Sequence, residues 1–190
     1  MIKERWLFMK KFLENPKQVG SLTPSSVYLA RSMAGAVQWN EVRAFAELGA
    51  GTGAITRCLD KMRYDDTAGY LFEKNPAMRR RLAEAYPHFR CHADALEMSE
   101  LLRREGVPAF DCIFSGLPFF NFEQRLRDQL LSQVRQSLAP DGQFVAFQYS
   151  LQMRKQFARH FDVQALRFVP INFPPAFVYV CRRNPNRMEY

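Results

Sequence analysis

The chain of 190 residues predicts an α/β fold, a seven-stranded and mostly parallel sheet covered by helices, and three observations carry that expectation. Short apolar runs alternate with helical patterns through the middle of the chain. The first run breaks into a glycine-rich turn in AFAELGAGTGA, residues 44–54. Two long extended segments, residues 163–169 and 176–182, close the chain; the proline-rich NFPPA between them makes them an antiparallel hairpin on the sheet edge.

The elements follow in order. In the first 14 residues Ile2, Trp6, Met9, Phe12 and Leu13 share one side of a helical wheel with Phe8 at its rim. Lys3, Lys10, Lys11 and Glu14 lie opposite, and Arg5 interrupts the apolar arc. Such a face suits either the domain's own core or the headgroup region of an anionic bilayer. A second helix is expected from Thr23, with Pro24 at its first position. Strand 1 covers residues 42–48 and its helix 54–62; strand 2 covers 69–72, and Asn75 and Pro76 cap a helix reaching Tyr86. Strand 3 is short, at 88–91, and strand 4 runs over 110–114. A charged amphipathic helix over 123–138 leads through the APDG turn, 139–142, into strand 5 at 143–149.

The glycine turn carries the chemistry. Gly49, Gly51 and Gly53 let the backbone turn sharply and meet a ligand with no Cβ in the way, and N–H groups at the following helix start favour a carboxylate or phosphate. Gly49, Gly51 and Ala54 also satisfy the dinucleotide pattern GxGxxG/A, and Glu73, 20 residues past Gly53, stands where an acid grips a ribose hydroxyl pair. Both cofactor readings meet that spacing.

Composition sets the outer bounds. The length suits one domain of common size, and 47% apolar residues suffice for a core. No run reaches the ~18 apolar residues of a membrane span, and no apolar core with a small-residue cleavage site opens the chain, so a cytosolic location is expected. Cys58, Cys91, Cys112 and Cys181 lack metal-ligand spacing and read as reduced packing residues. A net charge of +8 calls for an anionic partner, either nucleic acid or an acidic membrane surface.

Glu47 inside the glycine motif, Glu73 ending strand 2, Asp94 after strand 3 and FDCIFSGLPFF at 110–120 occur in the order that resembles the class I S-adenosylmethionine (AdoMet) methyltransferases, with their Rossmann-like sheet. The resemblance narrows further. A basic N-terminal helix, NPKQVGSLTPSS at 15–26, ELGAGTG, SGLPFF and NFPPAFVY together resemble the small bacterial phospholipid N-methyltransferases, which methylate the amine of phosphatidylethanolamine towards phosphatidylcholine and in some relatives act on ornithine lipids.

That resemblance implies AdoMet as cofactor and no metal. Glu47, Gly49 and Gly51 would line its methionine part, Glu73 with Lys74 the ribose, and Asp94 with Ala95 the adenine. Ser115 would lie beside the methyl, with Ser115 or Tyr149 assisting proton release. Gln18, Gly20, Ser21, Leu117, Pro118 and Gln148 would meet the substrate. Phe119, Phe120, Phe147, Tyr149 and Phe177 are candidates for holding the cationic groups on ring faces. The implied organisation is a substrate-covering segment at 1–40, the methyltransferase domain at 41–183 and a tail at 184–190, with the protein peripheral on the inner face of the cytoplasmic membrane. The rRNA adenine dimethylases are a similar family and the rival. Their loop after strand 4 resembles N-[IL]-P-[YF], whereas here Ser115 and an extra Gly116 precede Leu117 and Pro118, and 190 residues leave little for a further RNA-binding domain. Both departures disfavour nucleic acid. A module that binds AdoMet without catalysis is the remaining alternative.

Overall fold

The computed structural model describes residues 26–184. Among them β1 (Ala44–Leu48), β2 (Ala68–Phe72), β3 (Arg90–His92), β4 (Phe110–Ser115), β5 (Leu138–Gln148), β6 (Asp162–Val169) and β7 (Ala176–Arg182) form one sheet in the order β3-β2-β1-β4-β5-β7-β6. The helices are α1 (Val27–Ala34), α2 (Thr56–Met62), α3 (Pro76–Ala85), α4 (Met98–Glu105), α5 (Gln124–Ser137) and α6 (Arg154–His160). The first five strands are parallel, and β7 runs antiparallel between β5 and β6. The sheet and its closing hairpin are those expected from the sequence. Strand β1 is buried along its whole length because helices cover both faces, so it shows no polar alternation.

Each face has its own core. On one, Phe45 packs edge-on against Trp39, Phe89 and Phe114, with α1 contributing Leu29 and Met33. On the other, Phe144 packs against Phe119, Phe157 and Phe161. Phe119 and Phe147, candidates for holding a cation, are instead core side chains, at 0% and 7% exposure. Asn75 caps α3 as expected, its Oδ1 accepting from the N–H of Ala77 and Met78, with Pro76 at the first position.

Several boundaries differ from those expected. Helix α1 begins at Val27, because Ser26 is extended and its Oγ accepts from the Leu29 N–H; a helix already running from Pro24 is incompatible with that cap. The expectation for residues 1–14 lies outside the described residues, as does all of the tail expected at 184–190 except Asn184. Helix α5 ends at Ser137, and Leu138 already pairs with Phe110, so the APDG turn is a bulge inside β5 rather than a separate connection. Helices α4 and α6 have no counterpart among the expected elements. In α4, Met98, Leu101 and Leu102 form a three-residue apolar face ended by Gly106 at φ +67°, and α6 buries only Phe157; each pattern is too short to stand out.

The four cysteines are free, with Cys112 and Cys181 buried and the other two half-buried. Among the described residues no helix is long and apolar enough to cross a membrane, and no cluster of His, Cys, Asp or Glu could hold a metal ion.

Candidate active site

In an open parallel sheet, the crevice at the carboxyl ends of the strands where their order reverses is the ligand site. Here it lies between β1 and β4. After Leu48 the chain turns through Gly49 (φ +72°) and Gly51 (φ +56°). A Cβ on Gly49 would approach Leu117 Cδ2 to 2.8 Å, so this glycine is what lets the loop after β4 close on β1. A Cβ on Gly51 would meet nothing nearer than the Gly49 carbonyl at 3.9 Å; that position faces open space. Gly51 thus leaves room where a ligand is expected, whereas the space beside Gly49 is taken by Leu117.

Glu47 is 1% exposed. Its Oε2 accepts from the Thr56 hydroxyl at 2.7 Å, while its buried Oε1 has no partner among the described residues. Burial pushes its carboxyl up to about 8, opposed by the hydrogen bonds from Thr56 and reinforced by the nearby charge of Glu73. Such an acceptor is suited to a cationic donor arriving from a ligand.

Glu73 ties the two strand ends together. Its Oε2 accepts from the Gly51 N–H and its Oε1 from the Asn75 N–H, both at 2.8 Å. Lys74 beside it is exposed, and the Arg79 guanidinium donates to the Glu73 and Lys74 carbonyls. Asp94 is half-buried and its Oδ1 accepts from the Leu96 N–H, capping a single 3-10 turn that begins at Ala95.

Ser115 ends β4 fully buried, its Oγ accepting from the Leu117 N–H at 3.2 Å, which turns the chain into the exposed Pro118. Gln148 ends β5, and its Nε2 donates to the Leu117 carbonyl at 2.9 Å. The Gly116 N–H donates to the Leu48 carbonyl at 2.9 Å. The loop is therefore pinned from both neighbouring strands. Tyr149 follows, its ring edge-on to Phe147 at 5.5 Å, and burial pushes its hydroxyl up to about 12.

The structure thus gathers Glu47, Gly49, Gly51, Glu73, Ser115, Leu117 and Gln148 at one crevice through the contacts just described, and sets Lys74, Asp94 and Ala95 on the adjoining turns after β2 and β3. Gln18, Gly20 and Ser21 lie outside the described residues. Two residues join the site's framework that sequence reasoning does not single out. Thr56 is the partner of Glu47; its only signal is a hydroxyl at the first turn of the helix after the glycines. Asn172 is 3% exposed, accepts from the Ser26 N–H at 3.0 Å and donates to the Pro174 carbonyl. It stands inside NFPPA, whose prolines suggest only a stiff connector.

The unpartnered Glu47 oxygen and the open space at Gly51 fit a cationic nucleoside such as AdoMet. Among solved structures the fold is similar to the pyocyanin biosynthetic protein PhzM (TM-score 0.62, 14% identity, covering 81% of this chain and 54% of that one). It is also similar to the N-methyltransferase NodS of Bradyrhizobium japonicum WM9 (TM-score 0.59, 15% identity, covering 75% and 86%). The fold is that of the class I, Rossmann-like methyltransferases. In sequence the chain is 33% identical over 187 residues to the ornithine lipid N-methyltransferase of Singulisphaera acidiphila, covering 95% of this chain and 97% of that one. The chain belongs to this family of bacterial lipid N-methyltransferases and is an AdoMet-dependent N-methyltransferase. No protein-family model matches it.

Proposed function

We propose that this enzyme methylates the headgroup amine of phosphatidylethanolamine towards phosphatidylcholine, working as a peripheral protein at the anionic inner face of the cytoplasmic membrane. The full-length identity to a lipid N-methyltransferase is the observation that carries the lipid amine. That relative is named for ornithine lipid, which makes ornithine lipid the second reading. The net charge of +8 supports an anionic surface as the working environment.

When bound, AdoMet supplies an electrophilic methyl on a positively charged sulfur. Glu47 would hold its methionine amine through the oxygen that has no partner among the described residues, and Glu73, Lys74, Asp94 and Ala95 would hold its nucleoside. The reaction moves positive charge from sulfur to nitrogen without creating more, so the protein's task is to place the amine and exclude water. Gln148 serves that task by fixing the Leu117 carbonyl, and Ser115 by fixing the turn that carries it. Tyr149 keeps its proton at neutral pH, because burial holds its pKa far above 7, so it helps orient the amine as a neutral hydroxyl and not as a phenolate base.

Incubating the purified chain with methyl-labelled AdoMet and vesicles of phosphatidylethanolamine, vesicles of ornithine lipid, or total RNA tests this reading. Label is expected in phosphatidylethanolamine. Label confined to ornithine lipid supports the second reading, and label in RNA or nowhere overturns both.

A further inference from the structure

The exposed large apolar side chains are not spread evenly over the sheet. Phe168 (56% exposed) pairs in register with Phe177, which pairs with Gln148, so the end of β6 lies in one row with the active-site end of β5. Ile171 (65%) follows in the turn to β7. The hydrogen bond from the Ser26 N–H to Asn172 brings the first turn of α1 to that same turn, with Val27 (62%) and Tyr28 (55%) next in the chain. Phe120 and Leu151 are exposed just beyond β4 and β5, again at the carboxyl end. Among the described residues, only Met62 at the end of α2 and Tyr64 just after it stand at the opposite end.

The segments that carry Val27, Tyr28, Phe168 and Ile171 also carry positive charge. Residues 26–40 and 163–175 contain two cations, Arg31 and Arg167, and no Asp or Glu. Arg167, between Leu166 and Phe168, is exposed and reaches the Ser32 carbonyl across to α1, and Arg31 is exposed on α1. Apolar side chains rimmed by cations and lacking neighbouring carboxylates match the boundary between headgroups and acyl chains of an anionic bilayer.

We propose that the end of β6 and the first turn of α1 form the surface by which the enzyme docks on an anionic membrane, with Val27, Tyr28, Phe168 and Ile171 entering the acyl boundary and Arg31 and Arg167 meeting lipid phosphates. The occupant rests on the lipid reading above: docking at this end lets a headgroup amine reach the crevice while its acyl chains stay in the bilayer. A contact between two copies of the chain would leave the surplus of cations facing itself, which disfavours that occupant.

The test uses the full chain and vesicles of phosphatidylethanolamine with phosphatidylglycerol, with partitioning read by sedimentation and methyl transfer by label. A Phe168→Ser/Ile171→Ser variant is expected to partition at least tenfold more weakly and to lose methyl transfer on vesicles in proportion. It should keep its melting temperature and its transfer to a short-chain phosphatidylethanolamine dispersed as monomers. Tyr28→Ser, a single exposed helix position, should weaken partitioning in the same direction, whereas Tyr64→Ser at the far end should change nothing. Partitioning within twofold of the parent in both patch variants overturns the proposal, as does an equal loss in Tyr64→Ser. A change of sedimenting mass with vesicle binding intact would make the patch a contact between copies and overturn it. A fall in melting temperature with vesicle binding intact would mark it as covered by the chain's own residues and overturn it equally. Loss of vesicle binding in the patch variants of a chain that methylates no lipid would uphold the docking surface and refute the lipid substrate. Methylation of lipid with docking unaffected would do the reverse.

Discussion

The Thr56 hydroxyl donates to Glu47 Oε2 at 2.7 Å and leaves Oε1 buried without a protein partner among the described residues. Hydrogen bonds from Thr56 therefore hold an acid that burial would rather keep neutral, with its carboxyl pushed up to about 8. In the unfolded chain the same group titrates near 4.5, so between those values the folded state holds a proton that the unfolded state has released. This group's contribution to stability is complete below the lower value and is lost as pH rises to about 8. The melting temperature of the ligand-free protein should fall across that window, and Glu47→Gln should flatten the fall and raise the melting temperature at its upper end. The same variant should bind AdoMet more weakly, since a carboxamide offers a cationic donor no opposite charge. An unchanged pH slope in Glu47→Gln would show that other groups set it.

Glu73 bridges Gly51 and Asn75 through its two carboxylate oxygens. Glu73→Ala should weaken AdoMet binding by about tenfold or more, because both the ribose acceptor and the tie between the two turns are lost. Calorimetric titration checks this, and an unchanged affinity contradicts the assignment.

Gly49 combines a left-handed φ of +72° with Leu117 Cδ2 at 2.8 Å from where a Cβ would stand. Gly49→Ala should cost about 1–2 kcal/mol from the backbone conformation alone, with the steric conflict added. Trimming the neighbour in Gly49→Ala/Leu117→Ala should recover part of the steric share, so the two changes should be non-additive in denaturant unfolding. Additive losses would show that the contact is not what constrains Gly49.

Asn172 joins the Ser26 N–H to the Pro174 carbonyl inside the protein. Asn172→Leu leaves both without that partner and should cost about 1–3 kcal/mol. Limited proteolysis should then cut near Ser26 faster than in the parent, and no acceleration would mean that this contact does not secure α1.

Asn75 and Pro76 open α3 as their pattern predicts, and the glycine turn, the acid ending β2 and the C-terminal hairpin are legible for the same reason: each is specified by residues adjacent in the chain. The helices α4 and α6 are not, because one buried face of three side chains or a single Phe157 gives too short a period to recognise. The APDG bulge in β5 has the composition of a turn, and only pairing with β4 distinguishes the two. Asn172 is visible within NFPPA but its task is not, because its partner Ser26 lies 146 positions away.

By itself the sequence determined the class of fold, the glycine turn after β1 and the acids beside it, which depend on local conformational preference and the order of short motifs. Tertiary structure decided that Glu47 is buried half-satisfied against Thr56, that Gln148 clamps the loop after β4, and that the exposed apolar side chains gather at the active-site end. Those properties are set by which strands lie side by side. Burial, and the penalty it places on charge, is a property of neighbours in space rather than along the chain.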